Sequence, residues 1–296
     1  MSYARIEVKP IAGALGAEIH GVDLATLDDE TFAEIRDAFH AHSVVFFRDQ
    51  QMTPEQHLAF ARRFGALDVH PFAKGLDDHP EVLPVIKEAS DQAGNFGGTW
   101  HSDVTFYERP ALGSVLYALE APDHGGDTMF ANMYLAYEAL SDGMKRMLEG
   151  LTALHNASRS YGAESRTTRR QAAGSKSMEI RIGADAEEMV EHPVVRTHPE
   201  TGRKALFVNH VFTHRFKGWT TEESEPLLKF LYAHAVRPEF TCRFRWRDRS
   251  VAFWDNRCVQ HYALNDYHGQ RREMHRVTIQ GERPFLEHDK PAAAAE

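Results

Sequence analysis

The chemistry legible in this chain begins with His101 and Asp103. They stand two residues apart in Trp100-His101-Ser102-Asp103-Val104-Thr105-Phe106, where the apolar flanks and β-branched residues predict a strand. In a strand, side chains at i and i+2 share a face, whereas in a helix they point about 200° apart. An imidazole and a carboxylate converging in this way supply two of the three donors of a 2-His-1-carboxylate triad. That arrangement holds non-heme Fe(II) and leaves coordination positions open for substrates.

Spacing alone is weak evidence. With 18 His and 43 acidic residues among 296, composition by itself produces roughly two or three His-x-Asp/Glu matches. Three occur, and two of them, His79-Pro80-Glu81 and His198-Pro199-Glu200, carry a central Pro that belongs in turns rather than in a ladder. The bland alternative for any one match is a solvated polar pair. A distant partner separates the third from the others. Val251-Ala252-Phe253-Trp254 runs as a buried strand into Asp255-Asn256-Arg257 and on to Gln260-His261-Tyr262. Beyond it, Arg272, Met274, Arg276 and Thr278 alternate on one face of a further strand. Two guanidinium groups facing a strand-lined cavity each need an anion. Either protein carboxylates satisfy them or bound acids do, held bidentately as Arg prefers.

The elements that must position these residues are mostly strands. Phe32, Ile35, Ala38 and Phe39 recur at helical spacing behind the acidic turn Asp28-Asp29-Glu30. Val44-Val45-Phe46-Phe47 predicts a buried strand, and Thr53-Pro54-Glu55-Gln56 opens a capped helix that stops near Gly65. Strands follow at Gly113–Leu119, around Phe130, at Val194-Val195, over Ala205–Val208 and through most of the chain after Phe240. Helices are expected over about Met133–Leu151 and Glu222–Ala235. Residues 158–190 offer few apolar anchors and predict a functional lid or a disordered insert, and residues 290–296 a frayed tail. No repeat or linker divides residues 1–289, which are expected to form a single domain. The fold class is mainly β with flanking helices, a double-stranded β-helix (jelly roll) core with a site at its mouth.

Composition narrows the function classes. A net charge of −9 argues against a nucleic-acid partner. No apolar run of 18 residues exists, so no membrane span is expected. The start lacks a secretory or transit pattern, which makes the expected location cytoplasmic. Cys242 and Cys258, the two cysteines, form no CxxC pattern and suggest neither a disulfide framework nor a thiolate zinc site.

Taken together, Trp100-His101-Ser102-Asp103-Val104-Thr105-Phe106, Gly125-Gly126-Asp127-Thr128 and Trp254-Asp255-Asn256-Arg257 through His261 to Arg272 resemble the taurine dioxygenase family of Fe(II)/2-oxoglutarate-dependent oxygenases. The similarity runs from about Ile6 to Pro284. It implies iron held by His101, Asp103 and His261, with Arg272 and Thr128 on the far carboxylate of 2-oxoglutarate. The co-substrate and O2 would take the open positions, and succinate and CO2 would leave as a C–H bond of the substrate gains a hydroxyl. It also implies a homo-oligomer, dimer or tetramer.

In relatives that act on taurine, an Arg and a His matching Arg276 and His70 hold the sulfonate, and Val104 and Phe212 match apolar wall positions. Three positions depart from that pattern. Gly97 stands where taurine-specific members carry Asn, Ala73 where they carry Tyr, and Ala157 where they carry Phe. These changes make room and weaken the hold on taurine's amine. The chain is also similar to aryloxypropionate dioxygenases and to the alkyl sulfatases of the family. The expected substrate is therefore a small organic anion larger than taurine: a sulfonate, a sulfate ester or an aryloxyalkanoate. Two readings from other classes stand beside it. One is a non-catalytic jelly-roll protein that binds a metal or a small acid, and the other a zinc hydrolase, in which Arg272 would lack a ligand.

Overall fold

The computed structural model describes residues 3–91, 95–165, 169 and 184–287. The chain opens with β1 (Glu7–Pro10), β2 (Ala17–His20), α1 (Asp29–His42), β3 (Val44–Phe47) and α2 (Pro54–Arg62). It continues with β4 (Val82–Lys87), β5 (Ala111–Glu120), β6 (Thr128–Asn132), α3 (Met133–Glu138), α4 (Asp142–Glu149), β7 (Thr152–His155) and α5 (Ser158–Tyr161). The second half contains β8 (Val190–Pro193), β9 (Val195–Thr197), β10 (Lys204–Leu206), β11 (Thr213–Phe216) and α6 (Thr221–Ala235). It closes with β12 (Thr241–Phe244), β13 (Val251–Asp255), β14 (Val259–Ala263) and β15 (Arg272–Gln280).

A seven-stranded sheet in the order β1-β2-β3-β13-β5-β15-β4 forms one wall of the jelly roll. Smaller sheets, β12-β6-β14 and β11-β7-β8 among them, complete it. Strand alternation assigns each side chain of the large sheet to one of two cores. Val44, Phe46, Ala252, Trp254 and Met274 enter the core that also contains Phe130 of the smaller sheet. Val45, Phe47, Val251, Phe253 and Val277 face the helical side, where Phe39 of α1 stacks on Phe253 at 3.9 Å. This two-sided burial is why β3 and β13 read as unbroken apolar runs. Arg272 and Arg276 lie on the same face of β15 as Met274, and all three are buried.

The capping box predicted at Thr53 forms, and a second one stands at the start of α6. Thr53 and Gln56 exchange the reciprocal bonds of a capping box, and Thr220 and Glu223 do the same at the start of α6. Two expectations change. The helix expected over about Met133–Leu151 is two short helices, because Ser141 leaves helical geometry and caps the Met144 N–H. The strand expected around His101 is a turn. Only His101 pairs, as an isolated bridge to His261, and Val104 turns the chain with φ +45°. The Asp103 N–H bonds the Asn256 side chain instead of a ladder partner. Most of the expected lid, and the tail beyond Glu287, lie outside the described residues.

Candidate active site

His101 and His261 are brought together by backbone. Their N–H and C=O groups exchange two bonds, at 3.1 and 2.8 Å, so both imidazoles project from the same side of the bridge, with ring centroids 4.2 Å apart. Asp103 reaches them through the turn, its Oδ1 lying 3.7 Å from His101 Nε2 and 3.8 Å from His261 Nε2. All three are buried. His101 Nδ1 sits 2.7 Å from the Thr99 carbonyl, which fixes the proton on Nδ1 and leaves the Nε2 lone pair facing its partners.

Asp103 is anchored from three directions. Asn256 accepts from its N–H at 2.6 Å and donates to its C=O at 2.9 Å. Ser114 of β5 donates to Oδ2 at 2.9 Å, and Arg276 Nη1 donates to Oδ1 at 2.9 Å. Burial pushes the carboxyl upward, but Arg276 and the two imidazoles outweigh it and hold Asp103 well below the usual carboxylate range. His261 is pushed down to about 3 by burial, with the neighbouring His101 adding to the effect. The result is a carboxylate at Asp103 beside a neutral imidazole at His261, the protonation states that metal ligands need.

The two arginines divide the alternatives left open by the sequence. Arg276 meets a protein carboxylate, Asp103, through Nη1, yet among the described residues its Nε is buried without a hydrogen-bond partner. Arg272 is buried with both Nε and Nη2 unpartnered among the described residues. It stands over the Trp246 ring at 5.7 Å, and Trp246 Nε1 donates to Thr128 Oγ at 2.9 Å. Because that bond uses a lone pair of Thr128, the Thr128 proton remains free to donate alongside the guanidinium. A buried, unpaired guanidinium beside a donor hydroxyl fits an acid group.

Beyond the triad lies a cavity of about 730 Å³ whose lining includes His101, Gly97, Tyr161, Phe212 and Tyr262. Val104 and Phe212 are both buried in a small apolar cluster with Phe72, Phe106, Ala157 and Tyr161. A Cβ added at Gly97 would lie 3.5 Å from the His101 ring, so the absent side chain opens space directly over that imidazole. Ala157, by contrast, is packed among aromatic rings and opens none. His70 accepts the Phe72 N–H on Nδ1 and lies 3.3 Å from the Tyr161 hydroxyl through Nε2. Burial and the nearby Arg276 charge push it down to about 3.

The sequence reading named the residues that point at the site and missed those that hold them. Ser114, Asn256, Trp246 and Tyr161 are the main omissions. Asn256 alone carried a signal, standing in the Trp254-Asp255-Asn256-Arg257 motif at the end of a buried strand. Among the described residues a second cluster, His198, Asp255 and Cys258, is also compact enough for a metal. Its carboxylate is already spent: Arg257 donates to both oxygens of Asp255, and His198 Nε2 lies 2.9 Å from Oδ2.

Residues 7–278 match the taurine catabolism dioxygenase TauD, TfdA family. The chain belongs to this family. An alpha-ketoglutarate-dependent sulfate ester dioxygenase of Pseudomonas putida is 38% identical over 281 residues, covering 94% of this chain and 91% of the relative. A taurine dioxygenase from Burkholderia xenovorans has a similar structure, with a TM-score of 0.80 at 38% identity over 97% of this chain and 95% of that one. AAD-2, solved in complex with Mn(II) and N-oxalylglycine, gives a TM-score of 0.74 at 29% identity, with 95% and 99% covered. The chain is thus a 2-oxoglutarate-dependent dioxygenase with a jelly-roll core that works with a metal ion.

Proposed function

We propose that this dioxygenase hydroxylates the carbon next to the heteroatom of a small organic anion larger than taurine. His101, Asp103 and His261 would hold Fe(II), Arg272 and Thr128 the far carboxylate of 2-oxoglutarate, Arg276 and His70 the substrate anion, and Val104 and Phe212 its apolar part. Iron held there would supply the activation of O2 that couples loss of CO2 from 2-oxoglutarate to hydroxylation of a C–H bond. The protein's own residues do the rest. Ser114 and Asn256 fix the carboxylate, Thr99 sets the imidazole tautomer, and the apolar cluster around Phe212 excludes water from the chamber. A hydroxyl placed on the carbon bonded to sulfonate sulfur, sulfate-ester oxygen or aryl-ether oxygen gives a product that collapses to an aldehyde or keto acid, releasing sulfite, sulfate or a phenol respectively.

The observation that carries this reading is the buried Arg272 guanidinium, whose Nε and Nη2 have no hydrogen-bond partner among the described residues, placed on the same strand face as Arg276, which touches the Asp103 carboxylate. The space over His101 left by Gly97 supports a substrate larger than taurine. The test is a substrate screen with purified protein, Fe(II) and 2-oxoglutarate, read as succinate release. Alkyl sulfates, longer sulfonates or aryloxypropionates should outrun taurine, and a preference for taurine over all of them would overturn the proposal. Residues 1–289 would form one catalytic domain, in keeping with the family match over 7–278. A cytoplasmic homo-oligomer completes the reading, supported for the compartment by the two free, buried cysteines. Light scattering tests the assembly.

A further inference from the structure

The proton arrangement at His70 brings in another residue. Its Nδ1 accepts the Phe72 N–H at 3.2 Å, so in the neutral ring the proton is on Nε2. That Nε2 lies 3.3 Å from Tyr161 Oη, so the imidazole donates to the phenol oxygen and the phenol's own proton remains unspent. Tyr161 is only 4% exposed. Its ring is fixed by stacking on Phe72 at 4.8 Å and by an edge contact with Phe106 at 5.9 Å. The hydroxyl is close enough to Arg276 and Asp103 to feel both charges, and the residue lines the cavity beside Phe212.

We propose that His70 acts on the substrate's anionic group through the Tyr161 hydroxyl, a third donor beside Nε and Nη2 of Arg276, and that this hydroxyl selects tetrahedral oxyanions, sulfate esters or sulfonates, over carboxylates. This rests on the anionic-substrate reading above. Burial raises the phenol's pKa and keeps its proton in place. With Nη1 of Arg276 on Asp103 and no hydrogen bond to Nε or Nη2 from the described residues, the guanidinium has those two nitrogens left for two oxygens of an anion. A planar carboxylate has only those two, and binding it would leave the buried phenol proton without an acceptor, a loss sites of this kind use to discriminate. A sulfate ester or a sulfonate brings a third oxygen on another face.

Calorimetry on the Mn(II)- and 2-oxoglutarate-loaded protein, with hexyl sulfate and hexanoate as probes, tests this without turnover. Wild type should bind hexyl sulfate more tightly than hexanoate. Tyr161→Phe, which keeps the stacked ring, should weaken hexyl sulfate about tenfold, the size of one hydrogen bond to a charged group. Hexanoate and 2-oxoglutarate should be left within twofold. Hexyl sulfate affinity unchanged in Tyr161→Phe while wild type binds it well would overturn the role of Tyr161 alone. A wild type that takes up 2-oxoglutarate but neither probe would overturn this proposal and the anionic-substrate reading together.

Discussion

At the scale of single residues, the site separates groups that face ligands from groups that hold them. Replacing His101, Asp103 or His261 by Ala removes one of three donors whose ligating atoms all lie within 4.8 Å of one another. Each variant should lose Mn(II) binding by calorimetry while keeping a cooperative thermal transition. Arg272→Ala takes away a guanidinium with two nitrogens unpartnered among the described residues. If these receive a carboxylate, each lost charged bond is worth about 1.5–3 kcal/mol. The dissociation constant of 2-oxoglutarate should therefore rise at least tenfold, with substrate binding changed much less. Arg276→Ala should show the opposite preference, raising the substrate's KM well above any change in that of 2-oxoglutarate. Equal effects on both would contradict the separate roles of two arginines on one strand face.

At the scale of elements, the segment after Asp103 holds a shape its sequence does not favour. Val104 is β-branched and sits at φ +45°, a conformation costing roughly 1–2 kcal/mol. A buried polar cluster holds it there. His192 Nε2 lies 2.9 Å from the carbonyls of both Thr105 and Tyr107. Asn209 donates to Thr105 Oγ at 3.1 Å and accepts the N–H groups of Val211 and Phe212. One amide thus ties the wall residue Phe212 to the turn that carries Val104. Asn209→Ala should cost about 1–3 kcal/mol from the buried groups it leaves unpaired, seen as a lower Tm. It should also raise the substrate's KM while that of 2-oxoglutarate holds. A lower Tm with both KM values unchanged would mean that the tie supports the fold and not the pocket.

At the scale of the whole molecule, several histidines are folded in their neutral form. Burial pushes His57 down to about 3, and His192 and His214 to about 4, from an ordinary value of 6.5. The unfolded chain therefore binds protons below pH 6.5 that the folded chain refuses, and stability falls as the pH drops from 6.5 toward 4. Glu200 acts in the same direction at lower pH. A hydrogen bond from His40 and the Arg257 charge pull it down to about 2 against the effect of burial. The stability it adds is present above the ordinary carboxylate range and is lost as the pH falls toward 2. The metal-free protein should show a Tm plateau near neutrality and a steady decline below pH 6.5 by scanning calorimetry. A Tm that stays flat down to pH 4.5 would contradict neutral burial of these rings.

The sequence by itself determined which residues could act as donors and which faces they share. Alternation on β15 placed Arg272 and Arg276 together, the cap at Thr53 began its helix, and apolar runs marked β3 and β13 as buried strands. These are local consequences of side-chain period and hydrogen-bonding capacity, so they survive without knowledge of the rest of the chain. Only the tertiary structure decided how His101 and Asp103 converge. The expected strand gave way to a turn, because Asn256, more than 150 positions away, captures the Asp103 backbone and His261 bridges His101. It also decided which arginine stays unpaired and that a phenol from α5 meets His70. Those outcomes depend on which distant groups arrive within hydrogen-bond reach, and no periodicity in a single chain encodes that.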